Sequence, residues 1–433
     1  MNGCSLDWSP VLARALRPGV VTATDSECPM IHGEPTGGVV PRYSIYSAEF
    51  ADDPHRAYAA MRDRHGALVP IELAPGVPAT LVIGYETALR ILNDPERFPA
   101  DPRAWQNSIP ADSPVRPMME WNPTVLRSSG ELHRRYRQAH VHALDGIDLH
   151  ELHQDVERIA VPLINSFCES GKAELVTQYA FPLVFEVLNR LVGCTPELGQ
   201  RVSAGVAALF EGVEAEWGMK HLAEALMELI IEKRAAPGDD VSSRLIHHPA
   251  KLDDEEALYN LSTIYGSGVE PQRNLIVNTL LLMMTDERFG GSMLGGSLST
   301  RDALDEVLFN DPPLANFCTT YPRQPVLVDD TWLPANQPVL IGLAACNNDP
   351  AIRGGDFAGN RSHLAWSIGP HACPARSPAY VVVEAAIDQL LDALPELELA
   401  VPADRLTWRQ GPFHRALAAL PVVFPPSPPL NPV

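Results

Sequence analysis

The sequence predicts a mainly α protein with minor β. Three observations carry this: a helical pattern of unusual length over 254–286, a helical stretch with short breaks from Gly130 to about Arg234, and short apolar runs near the two ends that read as strands. A prior of roughly 150 residues per domain would divide the chain into about three. No Ser/Gly linker or charge tract interrupts its 433 residues, so one domain over 1–433 is expected.

Taken in order, residues 1–45 are rich in Pro and Gly and read as a largely irregular N-terminal extension. Residues 54–66 begin at a Pro and end at a Gly, the punctuation of a short helix. The runs Leu68–Leu73 and Ala79–Ile83, split by Ala-Pro-Gly, predict a hairpin, and Gly84–Asn93 a helix. Residues 94–128 hold seven prolines and two tryptophans without period, the mark of a long functional loop. The long helix opens on acids, which suit its positive end, and carries Gly266, Gly268 and Pro271 at its middle. Proline there removes a hydrogen bond and bends the helix. A helix over Arg301–Phe309, strand-like Gln337–Leu343, a coil over 347–362, a helix from just after Cys373 to about Leu394, and strands at Glu396–Val401 and Val422–Phe424 complete the reading.

Composition narrows the function. Fifty-four acidic against 33 basic residues give a formal charge of −21, which argues against nucleic acid as a partner. Seven scattered cysteines without a CxxC pair make a zinc or iron–sulfur site a poor reading and fit a reducing compartment. Neither a signal peptide nor a run of 18 apolar residues is present, so a cytoplasmic protein with no membrane partner is expected.

The chemistry concentrates at 363–376, HLAWSIGPHACPAR. A Gly-Pro turn precedes a cysteine that opens a helix. The free N–H groups and positive dipole there stabilise a thiolate. A thiolate pushes electron density onto haem iron and favours O–O cleavage.

The run Trp366-Ser-Ile-Gly369-Pro-His371-Ala-Cys373 resembles the cysteine-ligand loop of cytochromes P-450. His133-Arg134-Arg135-Tyr136-Arg137 is similar to the helix that clamps haem propionates, with His133 and Arg137 four residues apart on one face. The resemblance extends over roughly 45–425. It implies the triangular fold of that family, haem b between the long helix and the helix after the cysteine loop, Cys373 as the iron ligand, Trp366 packed near the sulfur, and propionates held by His133, Arg137 and His371. Glu270, Gln272 and Ser267 are the implied oxygen-activating group. Trp105, Met118, Met119, Val269, Arg273, Phe317 and Phe413 are the implied substrate contacts. A small-molecule substrate, an external ferredoxin with its reductase, and a monomeric state follow from the same likeness; Arg134 and Arg135 would steer the acidic carrier.

The chain also departs from that family. Ala375 replaces the usual Gly after the cysteine. The Glu-x-x-Arg motif falls at Glu306-Val-Leu-Phe309, with Phe in place of Arg, so a direct Glu306–Arg361 pair is expected. Pro271 stands where the relay Thr belongs. Thr320 stands where a propionate-binding Arg belongs, so His133, Arg137 and His371 are expected to carry the propionates without that Arg. Three functions remain open: oxidative C–C or C–N coupling of an aromatic small molecule such as an aromatic cyclic dipeptide, monooxygenation of a macrolide, steroid or terpenoid-like substrate, and non-catalytic haem binding.

Overall fold

A computed structural model describes residues 41–211, 215–289, 298–352 and 360–431. The expected irregular extension lies outside the described residues up to 40. Its last part is corrected: Tyr43–Ser44 form β1, paired in parallel with β2.

The chain is mainly helical, as expected. Helices α1 (Ala48–Asp52) and α2 (Pro54–His65) lead into the hairpin of β2 (Leu68–Glu72) and β3 (Pro78–Val82). Asp53 caps α2 by accepting from the Arg56 N–H, Pro54 takes the first turn, and Gly66 ends it at a φ of 69°. After α3 (Tyr85–Leu92), the 94–128 segment folds as a loop that includes short α4 (Arg116–Met119) and a 3-10 turn, Val125–Arg127.

The helical body follows: α5 (Gly130–Asp145), α6 (Leu149–Asn165), α7 (Phe181–Val192), α8 (Pro196–Glu211), α9 (Ala215–Ala235), α10 (Val241–Ile246) and α11 (Asp254–Thr285). A capping box between Asp253 and Glu256 starts α11. Pro271 lies inside it without ending it. Buried Leu261, Ile264, Tyr265, Val269, Leu275, Ile276 and Leu280 run along α11 in the largest apolar cluster, and packing on several sides offsets the lost hydrogen bond. Helices α12 (Thr300–Asn310), α13 (Leu343–Asn347) and α14 (Arg376–Ala393) complete the set, with α11 packed against both α12 and α14.

One sheet runs β1-β2-β3-β8-β5, with β5 at Asn316–Thr320 and β8 at Val339–Gly342. Its apolar face, with Trp105, Met119 and Phe413, forms a second core. A smaller sheet joins β4 (Lys172–Glu174), β10 (Pro421–Val423) and β9 (Glu398–Leu399), and β6 (Val326–Val328) pairs with β7 (Thr331–Leu333).

The expected Glu306–Arg361 pair is corrected. Arg361 Nε meets Asp305 at 2.8 Å, while Glu306 turns outward to Arg288 at 2.7 Å. Asp305 is 5% exposed, takes a hydrogen bond from the Tyr380 hydroxyl at 2.7 Å, and has Arg301 one helical turn back at 3.7 Å. The acid therefore sits one residue earlier than the motif suggests. A one-residue step turns a helix by about 100°, so Asp305 and not Glu306 faces α14. Phe309 fills the freed volume, 3% exposed and edge-on to His363 at 6.4 Å.

Replacing Asp305 with Ala removes hydrogen bonds to a charged group and is expected to cost about 2–3 kcal/mol. Glu306→Ala, at a surface ion pair, costs less than about 1 kcal/mol. Phe309→Arg, which forces a new charge into a filled site, costs more than about 2 kcal/mol. Urea midpoints at unchanged slope measure all three; equal losses for Asp305→Ala and Glu306→Ala would restore the motif's own register.

Candidate haem-thiolate site

The cysteine loop is held by its backbone. Ser367 N–H donates to the Leu364 carbonyl at 2.7 Å, and Cys373 N–H to the Trp366 carbonyl at 2.8 Å. Gly369 has a φ of 70°, and a Cβ there would lie 2.3 Å from the Leu92 carbonyl oxygen. Only glycine allows both that conformation and that approach. Cys373 stands three residues ahead of α14, with its sulfur close to the Ala375 N–H. Burial pushes the thiol up, opposed by that N–H and by the charges of Arg137 and Arg376. Ala375 is accommodated at φ −98°, a conformation that does not need glycine. Trp366 lies against the Tyr380 ring at 5.4 Å, tilted by 49°.

Beside this loop α5 presents His133 and Arg137. The His133 and His371 rings approach to 4.0 Å between centroids, at an interplanar angle of 34°. Burial, with Arg137 adding, drives His133 down to about 4; burial, with His133 and Arg137 adding, drives His371 down to about 3. The buried Nε2 of His133 has no hydrogen-bond partner. Three groups able to carry positive charge thus converge, and no carboxylate pairs with them among the described residues. Such a cradle fits an anionic group, and the propionates of a haem ligated by Cys373 meet that need. His133, Arg137 and His371 would hold the propionates and Cys373 the iron.

Across from the loop, α11 opens at its middle. Gly266 and Ser267 are exposed within a helix whose neighbouring Ile264, Tyr265 and Val269 are buried, and a Cβ on Gly266 would meet nothing within 4 Å. The Ser267 hydroxyl turns back to the Thr263 carbonyl at 2.6 Å. Gln272 keeps a buried side-chain oxygen without a partner. Glu270 is occupied: Arg273 Nη2 lies 2.6 Å from Oε2, and Arg409 Nη1 lies 2.5 Å from Oε1. The expected substrate residue Arg273 is therefore part of an ion group.

The other expected contacts separate. Phe317 and Phe413 meet edge to face at 6.2 Å, and Asn316 N–H donates to the Phe413 carbonyl at 3.1 Å. Val269 is fully buried in the helical core. Trp105 packs on Tyr321 at 5.5 Å and Met119 is buried in the sheet-side core. Met118 is 50% exposed. Arg135, expected to steer a carrier, is tied to Glu256 and to the Ala250 carbonyl at 3.0 Å. Arg134 and Arg137 instead border a cleft of about 480 Å³ with His142 and His248.

Sequence reasoning missed Arg409 and Asp305. Arg409 lies 139 positions from Glu270, and nothing local announces that pairing. Asp305 did have a signal, Arg301 four residues before it on one helix face.

Cys373→Ala is expected to abolish the red-shifted Soret band of the reduced carbon monoxide complex, while Cys318→Ala and Cys346→Ala leave it in place. An unaltered band in the Cys373 variant would remove the thiolate assignment. His133→Ala should speed haem loss, since a charge-assisted hydrogen bond is worth about 1.5–3 kcal/mol; full haem occupancy at unchanged thermal stability would count against the clamp.

No protein-family model matches the sequence. Known proteins do. The chain is 27% identical over 403 residues to cytochrome P450 107B1 of Saccharopolyspora erythraea, covering 89% of this chain and 99% of that protein. It is 28% identical over 393 residues to the cytochrome P450 monooxygenase PikC of Streptomyces venezuelae, covering 86% and 92%. The solved structure of CYP154C4 from a Streptomyces species superposes with a TM-score of 0.80 at 27% identity, over 89% of this chain and 99% of that one. Matches that span nearly the whole of these proteins agree with the thiolate loop and the basic cradle: the chain belongs to the cytochrome P450 superfamily of bacterial haem-thiolate oxidoreductases.

Proposed function

We propose that this cytochrome P450 joins two aromatic units of a small molecule, such as an aromatic cyclic dipeptide, by a C–C or C–N bond without inserting oxygen. The observation that carries the reading is the open stretch of α11. Pro271 has no hydroxyl, and its ring nitrogen cannot donate to the Ser267 carbonyl. The nearest side-chain hydroxyl, on Ser267, is spent on the Thr263 carbonyl. Glu270 is held between two guanidinium groups.

When bound, haem with a thiolate ligand supplies the activation of dioxygen. The chain's own side chains then offer little to deliver protons in the ordered way that hydroxylation requires. A substrate with an indole N–H, phenol or amide brings its own donor, and the open α11 face gives it room. In coupling, each aromatic unit gives up one hydrogen, and dioxygen leaves as water once an external donor adds two electrons and two protons are taken up. Two units held in one pocket join faster than they separate.

Hydroxylation is the second reading. In support of it, the buried Gln272 side-chain oxygen has no partner and would hold a water in the missing role, and PikC is named a monooxygenase. Non-catalytic haem binding is set aside, since named relatives are monooxygenases or hydroxylases. Electrons would come from a ferredoxin and its reductase, docking at the cleft bordered by Arg134, Arg137, His142 and His248. Among the described residues no helix is long and apolar enough to cross a membrane. We take the enzyme to be cytoplasmic and monomeric.

Turnover of aromatic cyclic dipeptides under isotopically labelled dioxygen, with mass analysis of the product, separates the readings. Coupling is expected to give an unlabelled product joined from two aromatic units. One labelled oxygen per product would establish hydroxylation instead. Gln272→Leu should leave coupling within about threefold and cut hydroxylation by about tenfold or more, the order of a general acid–base contribution.

A further inference from the structure

Arg127 is a half-buried cation that no carboxylate pairs. It ends the 3-10 turn Val125–Arg127 just ahead of α5, the helix that carries His133 and Arg137. Its guanidinium makes no hydrogen bond or ion pair with any described residue. Neighbouring arginines differ: Arg103 has Asp101 at 2.6 Å, Arg116 has Glu120 at 3.2 Å, and Arg135 has Glu256. Glu120, the one carboxylate that acts on Arg127 at a distance, is thus already held by Arg116. Burial lowers the Arg127 pKa, so its charge is poorly compensated by the protein itself.

The segment is fixed in place. Val125 N–H donates to Asn260 Oδ1 at 3.2 Å, and Asn260 Nδ2 donates to the Pro123 carbonyl at 2.9 Å. Asn260 is fully buried on α11, less than two turns before the open stretch, and also meets His140 Nε2 of α5 at 2.8 Å. The Arg127 side chain in turn lies within electrostatic range of Tyr321, the residue that follows Thr320 at the end of β5. Arg127 therefore lies between the start of α5 and the end of β5, two residues after a residue tied to α11.

We propose that Arg127 is a further basic contact for the haem carboxylates, beside His133, Arg137 and His371, taking the place of the arginine that the chain lacks at Thr320. An unpaired cation is costly to bury, and an anion brought in with the cofactor removes that cost. The chain reaches the same end of the cofactor from the loop before α5 instead of from the strand. This replaces the expectation that haem is held by His133, Arg137 and His371 without a substitute for the arginine missing at Thr320. The assignment rests on the haem-thiolate reading.

The test follows haem transfer to excess apomyoglobin by absorbance, using enzyme loaded either with haem or with its dimethyl ester, whose carboxylates carry no charge. Arg127→Ala is expected to release haem about tenfold faster or more, the scale of a charge-assisted hydrogen bond. Wild type and variant should release the ester at the same rate. Adding Thr320→Arg to Arg127→Ala should recover at least half of the loss on a logarithmic scale. Unchanged haem release in Arg127→Ala overturns the assignment, and so does equal acceleration with haem and ester, which marks a purely structural role. Arg127→Gln keeps the side-chain length and carries the same comparison if the alanine variant does not fold. A wild-type chain that takes up no haem overturns this assignment and the haem reading together, whereas haem uptake with no effect at Arg127 overturns the assignment alone.

Discussion

Cationic side chains are costly to bury without an anion, and the region around Cys373 is arranged about that cost. His133, Arg137 and His371 converge beside the cysteine loop with no carboxylate pairing them among the described residues, and Arg127, six residues before His133, has no ion pair with a described residue. The two imidazoles respond by resting neutral. Elsewhere the chain pairs its buried charges closely, as Asp305 with Arg361 and Glu270 with two arginines show. The contrast separates charges that hold the fold from those proposed to hold the haem carboxylates.

The two ionic groups do different work. Asp305 joins α12, α14 and the loop at Arg361 through Arg361 and the Tyr380 hydroxyl, so it fixes the helix that follows Cys373 relative to the one that precedes the sheet. The Glu270 group instead ties α11 to the closing segment at Arg409, next to the Phe413 turn. His414 sits within reach of that group, its ring held down to about 4 by burial, with Arg409 opposing its charge as well. A displacement of the closing segment therefore acts directly on the acid beside the open face of α11.

The break in α11 shows how a local rule is overridden without being wrong. Proline removes the donor to the residue four positions back, and Gly266 weakens the same turn. Burial of α11 between α7, α9, α12 and α14 holds the helix continuous regardless. What survives of the local weakness is an exposed stretch at Gly266 and Ser267, with Pro271 half-buried one turn later.

By itself the sequence determined the elements and singled out the cysteine loop. The helix at Pro54–His65, the β2–β3 hairpin, the long α11 and the cysteine loop all rest on signals within a few residues: a capping Asp, a terminal Gly, an apolar period, a Gly-Pro turn before Cys373. Such signals are legible because propensity and capping act between near neighbours. Tertiary structure alone decided the pairings. Which acid faces α14 depended on the rotation of α12, and a single residue's step exchanged Glu306 for Asp305. That Arg409 joins Glu270 from the far end of the chain was settled by packing between elements more than a hundred residues apart, whereas Arg273 pairs with Glu270 three residues away on one helix. Charge partners depend on distance in space, and sequence spacing reports that distance only within a helix or a turn.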